Sequence, residues 1–246
     1  MKCLALDTTT NISSIAVADE SKVWAQYEFA HQMDLSRRLM PNIVNMLKEA
    51  GLGVKDVEAI GVSLGPGSFT GLRIGVVTAK TLAQVLNVPV VGIATLDLLA
   101  HQFDYLPHCL VCPIIKVRRG EVYWAFFQTG GGSLERVSDY AAGGVDEVIH
   151  TARGFLEKED ACGTSGVGRE ILFCGDGVSE NIDAIRQALG GSVIRAPAWL
   201  EYPKAGILAR LAINAIQTGK AADPFTLLPF YIRRSAPEMR MDPQDD

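Results

Sequence analysis

Short apolar runs separated by polar turns dominate the first hundred residues and predict strands alternating with helices. Residues 3–7, 13–19 and 22–29 have the alternating or continuous apolar character of three successive strands. A fixed order of helix, strand, helix, strand, helix then follows, over residues 34–50, 58–64, 72–86, 89–91 and 95–103. This order is typical of an α/β lobe with one mixed sheet.

The second half of the chain repeats the order more loosely. Residues 110–117, 121–129 and 133–138 are predicted as strands, followed by helices at 145–152 and 178–189 with a strand at 171–174 between them. A glycine triplet at 130–132 marks a hairpin loop, residues 157–169 a long loop, and 203–218 a last helix stopped by Gly219. The repeat predicts the two-lobed fold of actin, Hsp70 and sugar kinases, each lobe being a mixed sheet with flanking helices.

These elements suggest a domain organisation. We expect an N-terminal lobe over residues 1–103 and a smaller C-terminal lobe over residues 104–202. The helix within 203–219 should pack back on the first lobe. Residues 239–246 are acidic and are predicted to be disordered.

The stretch GPGSFTGLRIG, residues 65–75, joins a predicted strand to a predicted helix. Pro66 ends the strand, and Ser68 or Thr70 can cap the helix that follows. Such a turn directs free backbone N–H groups at one point and suits an anion. Its glycine spacing is one residue longer than the dinucleotide fingerprint, and no Lys-Ser or Lys-Thr pair follows as in a P-loop. Two interpretations remain: an anion cradle, or a tight turn off the sheet edge.

Composition narrows the class of protein. The chain has 246 residues, 48% of them hydrophobic, and can bury a sizeable core. A formal charge of −5 gives no global attraction for nucleic acid, so RNA binding would need a partner or a local patch such as Arg233-Arg234. An odd number of cysteines, five, argues against a disulfide framework. With no apolar run of transmembrane length and no signal-peptide pattern at Met1, we expect a cytoplasmic protein.

Candidate metal and nucleophile sites are weak. Cys109 and Cys112 have the spacing of a metal or redox pair, but strand geometry puts residues three apart on opposite sides. Asp97 and His101 could share one helix face, yet no third ligand accompanies them, and no two of the four histidines are four residues apart. Ser63 and Ser68 lack a recognisable His partner in the sequence. The sequence therefore predicts no metal and no catalytic residue.

Several motifs together resemble the bacterial TsaB (YeaZ) family. They are the glycine-rich string at 65–75, LALDTTT from residue 4, RRGEVY from 118, GDG from 175 and LPFYIR from 228, so the resemblance covers most of the chain. It implies the actin-like fold and a non-catalytic subunit of the machinery that makes threonylcarbamoyladenosine in tRNA. The alternatives left open are an ATP-dependent small-molecule kinase of the same superfold and a peptidase.

The resemblance also implies partners. They are the catalytic subunit TsaD, the ATPase TsaE, and a second copy of the chain when TsaD is absent. The complex would modify N6 of adenosine 37 in ANN-decoding tRNAs, and this chain would meet tRNA only through it, without any membrane. We expect no cofactor for the chain itself, although ATP or ADP could bind at the interface with TsaD.

Two helices carry the predicted partner interface. Each has an apolar face wider than one sheet contact requires, and small residues recur every four positions on the second helix. TsaB proteins use these helices to form a bundle with TsaD or with a second copy, although most such stripes pack on their own sheet. The predicted interface residues are Leu39, Met40, Ile43, Val44, Met46, Leu47, Gly71, Arg73, Gly75, Val76, Ala79, Lys80 and Ala83.

In this superfold two hairpin loops hold nucleotide phosphates and magnesium. The candidate phosphate-binding residues by resemblance are Asp7, Thr8, Thr9, Gly65, Gly67, Ser68, Thr70 and Lys116. Two positions depart from the family pattern. Lys116 replaces a common Asp and cannot hold magnesium, so a two-carboxylate clamp is incomplete, and a solvated loop charge is an equally good interpretation. Leu35-Ser36 replaces a His-Ser pair ahead of Pro41, which should bend the first helix or delay its start.

Overall fold

The computed structural model describes residues 1–31, 34–118, 120–161 and 170–232. Arg119, residues 162–169 of the predicted loop, the Arg233-Arg234 pair and the acidic tail lie outside these ranges. Within them, no helix combines the length and apolar character needed to cross a membrane.

The first lobe is built on a five-stranded mixed sheet. Its strands are β1 (Cys3–Asp7), β2 (Ile12–Ala18), β3 (Val23–Ala30), β4 (Ala59–Gly65) and β5 (Val90–Ala94). They lie in the order β3-β2-β1-β4-β5, with the first three antiparallel and β1, β4 and β5 parallel. The helices are α1 (Leu35–Glu49), α2 (Phe69–Leu86) and α3 (Thr95–Ala100), the last continued by a 3₁₀ turn at His101–Phe103.

Helices cover both faces of this sheet, which explains why β1 is apolar throughout. Leu4 and Leu6 point into a core shared with α1 and α2. Cys3 and Ala5 point the other way, into a core shared with the last helix, α6 (Ala205–Gln217). Helix α6 therefore packs across the first lobe although it follows the second lobe in sequence.

The second lobe repeats the topology of the first. Its strands are β6 (Pro107–Arg118), β7 (Glu121–Trp124), β8 (Phe127–Gly130), β9 (Leu134–Arg136), β10 (Ala141–Gly143), β11 (Ile171–Cys174) and β12 (Val193–Arg195), and its helices are α4 (Val145–Ala161) and α5 (Val178–Leu189). The order β10-β7-β6-β11-β12 matches the order of the first sheet, strand for strand. The duplicated mixed sheet confirms the predicted actin-like fold class.

Several predicted boundaries were wrong for identifiable reasons. The predicted strand 121–129 is two strands, because the chain is interrupted at the buried residues Ala125 and Phe126 between β7 and β8. Helix α4 runs past residue 152 into the segment predicted as a loop. Helix α2 begins three residues early because Ser68 caps it, accepting a hydrogen bond from the Gly71 N–H at 3.3 Å.

Candidate functional site

The glycine turn is packed directly against the loop that follows β1. The Ser68 N–H donates to the Thr9 carbonyl at 2.7 Å, and the Thr8 hydroxyl donates to the Gly71 carbonyl at 2.8 Å. A Cβ added at Gly67 would lie 2.3 Å from the Thr9 carbonyl oxygen, and one added at Gly71 would lie 2.0 Å from that of Thr8. Because only glycine permits such close backbone contact, the tight-turn interpretation accounts for both positions.

Most of the predicted phosphate-binding residues meet here, but their polar groups are already engaged. Asp7, Thr8 and Thr9 are almost fully buried, and the Thr9 hydroxyl donates to a carboxylate oxygen of Asp7 at 3.0 Å. Gly65 has φ +110°, and a Cβ there would meet the Phe230 carbonyl oxygen at 2.6 Å. Of the predicted set, only Ser68 and Thr70 have exposed positions on the turn.

Lys116 lies apart from this cluster, in the second lobe. Its ammonium group pairs with Glu180 of α5, and its backbone N–H donates to Asp176 Oδ1 at 3.0 Å. Its charge is therefore balanced within the second lobe. Nucleotide binding by these residues stays a prediction.

Asp7 is the electrostatically unusual group of the site. Burial raises the pKa of its carboxyl from 3.8 to about 6, while the neighbouring hydroxyls of Ser63 and Thr9 act in the opposite direction. Ionising a buried carboxyl group without a cationic partner costs free energy. The raised pKa of Asp7 is therefore a measurable property of the buried cluster.

The candidate metal ligands have other partners. The Tyr140 hydroxyl donates to Asp97 Oδ2 at 2.8 Å, whereas His101 Nδ1 lies 3.2 Å from Asp104 Oδ2. Cys112 is buried in the second-lobe core and Cys109 packs against a different cluster, as strand geometry required. In the described ranges, no three His, Cys, Asp or Glu side chains are grouped so as to hold a metal ion. The predicted absence of bound metal remains to be measured.

The predicted partner interface is divided by the structure into a buried and an exposed part. The buried residues are Leu39, Ile43, Met46, Leu47, Gly71, Gly75, Val76, Ala79 and Ala83. In the free chain these residues pack within its own first lobe, and their direct contact with a partner stays a prediction. A Cβ at Gly75, for example, would lie 2.1 Å from the Thr8 hydroxyl oxygen. Gly71 and Gly75 therefore receive Thr8 of the first hairpin, and Ala79 and Ala83 belong to the first-lobe core.

The exposed part lies on the outward sides of α1 and α2, two helices that pack on the same first-lobe core. Met40 and Val44 of α1 are 37% and 45% exposed, and Val77 of α2 is 61% exposed. Arg73, also exposed, stacks its guanidinium group 3.8 Å from the centre of the Phe69 ring. We call Met40, Val44, Arg73 and Val77 the outer helix face.

Val77 was missing from the predicted interface. A helical projection places it roughly 40° from Arg73, which was predicted for the interface. Its position beside Arg73 was the available signal. Lys80, which was predicted for the interface, is half-buried and donates to the carbonyl groups of Phe225 and Leu227.

Comparisons with known proteins bear on this geometry. A family model described as TsaD, tRNA N6-adenosine threonylcarbamoyltransferase, matches residues 30–240. A Bacillus subtilis protein described as tRNA threonylcarbamoyladenosine biosynthesis protein TsaB is 32% identical over 245 residues, covering 98% of this chain and 97% of the relative. The chain belongs to the TsaB family. The resemblance inferred from its motifs is confirmed.

Solved structures agree with membership of the TsaB family. YeaZ from Pseudomonas aeruginosa superposes with a TM-score of 0.74 at 26% identity, covering 94% of this chain and 99% of that one. Component A of (R)-2-hydroxyglutaryl-CoA dehydratase from Acidaminococcus fermentans gives 0.51 at 12% identity, covering 88% of this chain and 99% of that one. The second likeness reflects the shared fold alone.

The close contact at Gly71 predicts a stability effect. Gly71→Ala should lower the free energy of unfolding by about 2 to 4 kcal/mol, because the new methyl group would overlap the Thr8 carbonyl oxygen. Gly154→Ala, in α4 with open space around it, is the matched control and should be neutral or stabilising by up to about 1 kcal/mol. Urea unfolding measures the free energy of unfolding of both variants. Equal effects at the two positions would contradict the close contact between Gly71 and Thr8.

The raised pKa of Asp7 predicts a pH dependence. The folded chain retains a proton on Asp7 that the unfolded chain releases, so this group's contribution to stability falls as pH rises from about 4 to about 7. Asp7→Asn cannot titrate. Between about pH 4 and about pH 7, the free energy of unfolding of the variant should therefore rise by about 2 to 3 kcal/mol relative to that of the wild-type chain. The comparison isolates Asp7, because every other titrating group is present in both proteins. Urea unfolding at several pH values would refute this if the difference were constant.

Proposed function

We propose that the chain is a non-catalytic subunit in threonylcarbamoyladenosine biosynthesis, and that it binds a TsaD-type catalytic protein through the outer helix face. The observation that carries the proposal is the alignment of exposed apolar side chains on two helices of the first lobe. Membership of the TsaB family supports the choice of pathway. The exposed apolar side chains support the choice of binding surface.

The outer helix face has the character of a protein interface. Met40 and Val44 are four residues apart on α1, and Arg73 and Val77 are four apart on α2, so each pair forms one stripe. Methionine adapts to an irregular partner surface, and arginine is enriched at interfaces. The described part of the first lobe leaves these apolar side chains partly exposed to water, where a partner could cover them.

The buried cluster supports a non-catalytic role. Thr8 and Thr9 hydrogen-bond to the glycine turn, and Asp7 is fully buried beside them. Across the chain, Lys116 is paired with Glu180. A kinase of this superfold needs carboxylates that reach a phosphate-bound magnesium ion, so the kinase alternative has less support. The peptidase alternative also has less support, because Ser63 is buried and Ser68 caps α2.

Further parts of the proposal follow from the family. The complex would act in the cytoplasm on adenosine 37 of ANN-decoding tRNAs, with a TsaE-type ATPase as a second partner. Without the TsaD-type protein, the same outer helix face would pair two copies of the chain. ATP or ADP would bind between the partners, and tRNA would be held by the assembly.

Two neighbouring positions of α2 test the proposal with opposite outcomes. Val77→Asp places a carboxylate on the outer helix face, so the variant should fold normally and lose binding to the TsaD-type protein by about a hundredfold. Ala79→Glu buries an unpaired charge in the core and should lower the free energy of unfolding by several kcal/mol. Isothermal titration and thermal unfolding measure the two effects.

Val137→Asp is the matched control for Val77→Asp, because Val137 is an exposed valine of the second lobe. It should leave binding within about twofold of the wild-type chain. The proposal fails if the wild-type chain does not bind the TsaD-type protein, or if Val77→Asp binds as tightly as Val137→Asp.

A further inference from the structure

After α6 the chain continues along the first lobe in a segment we call the C-terminal strap, residues 222–232. Hydrogen bonds hold the strap at three points. The Ala222 N–H donates to the Val90 carbonyl at 2.8 Å, and the Phe230 N–H donates to the Leu64 carbonyl at 2.7 Å. Between them, Lys80 Nζ of α2 donates to the carbonyls of Phe225 and Leu227, at 3.2 and 2.9 Å.

The strap presents large apolar side chains to solvent. Leu227 is buried in the first-lobe core, whereas Phe225 and Leu228 on either side of it are 75% and 70% exposed. Asp223 fixes the local turn: its carboxylate accepts from the Phe225 N–H at 2.9 Å, and its carbonyl accepts from the Leu227 N–H at 3.1 Å. The exposed side chains are thus carried by a backbone that is already ordered.

The strap lies along one edge of α2. Phe69 and Lys80 are eleven residues apart, which places them within roughly 20° of each other around the helix. Both contact the strap, because the Phe69 ring centre lies 5.6 Å from that of Tyr231 and Lys80 donates to the strap carbonyls. Val77 projects roughly 60° from Lys80. The strap therefore borders the outer helix face on the Lys80 side.

We propose that the C-terminal strap is the third element of the partner-binding face, and that Phe225 and Leu228 insert into apolar pockets of the TsaD-type protein. This inference rests on the proposed function. Four side chains on two helices are a small surface compared with the ~800 Å² that each partner of a stable complex usually buries. The strap extends this surface continuously and without a large ordering cost, since its backbone is already fixed.

Lys80 links the two halves of this face. Its ammonium group donates to two strap carbonyls and so positions the strap against α2. The apolar side chains of the strap are then left to contact the partner. Exposed aromatic groups also occur elsewhere, such as Trp199, which is 73% exposed in the second lobe. Within the described ranges, Trp199 makes no hydrogen bond or ring contact with the strap, and it provides a control for the removal of an exposed ring.

The test is the affinity of the full-length chain for the TsaD-type protein of the same organism, by isothermal titration. The double variant Phe225→Ser/Leu228→Ser should bind at least about tenfold more weakly, with thermal unfolding unchanged, because both groups are solvent-exposed in the free chain. Phe225→Leu/Leu228→Met keeps the face apolar and should bind within about threefold of the wild-type chain. Trp199→Ser should bind like the wild-type chain.

The outcomes separate this inference from the proposed function. Loss of binding in Val77→Asp together with wild-type affinity in Phe225→Ser/Leu228→Ser would overturn the strap inference alone. An equal loss in Trp199→Ser would overturn it as well, since the effect would not be specific to the strap. Failure of the wild-type chain to bind would overturn both. If only self-association fell in the strap variant, the occupant would be a second copy, and the inference would be wrong about the partner.

Discussion

The contact between the first hairpin and helix α2 determines how the rest of the first lobe is arranged. Thr8 occupies the space that side chains at Gly71 and Gly75 would fill, and its hydroxyl donates to the Gly71 carbonyl. Because this contact fixes the rotation of α2 about its axis, it decides that Ala79 faces the core and Val77 faces outward. The position of the proposed partner-binding face is therefore a consequence of a contact on the other side of the helix.

The same contact explains why the predicted phosphate-binding residues of the first lobe do not form an open site. Groups that could bind an anion, such as the Ser68 N–H and the Thr8 hydroxyl, are used to hold the hairpin on the helix. Asp7 is buried beneath them with its pKa raised. A fold that positions nucleotides in its enzymes is thus used here, in our proposal, as a rigid support for two helices and a strap.

Much of this fold could be predicted from the sequence, because apolar periodicity reports which residues are buried. It gave β1, β11 and α5 at their observed bounds, and the repeated order gave the fold class. Periodicity does not say what covers a buried face, so it could not show that Gly71 and Gly75 of α2 pack on Thr8. Phe225 and Leu228 were missed because their exposure depends on contacts with Lys80 and Val90, which are distant in sequence.

Hydrogen–deuterium exchange on the free chain and on its complex with the TsaD-type protein tests the central claim most directly. The account predicts slower exchange on binding in α1 around Met40–Val44, in α2 around Arg73–Val77 and in the strap, with helices α4 and α5 of the second lobe unchanged. Protection confined to the second lobe, or no protection in α1 and α2 at saturating partner, would contradict it.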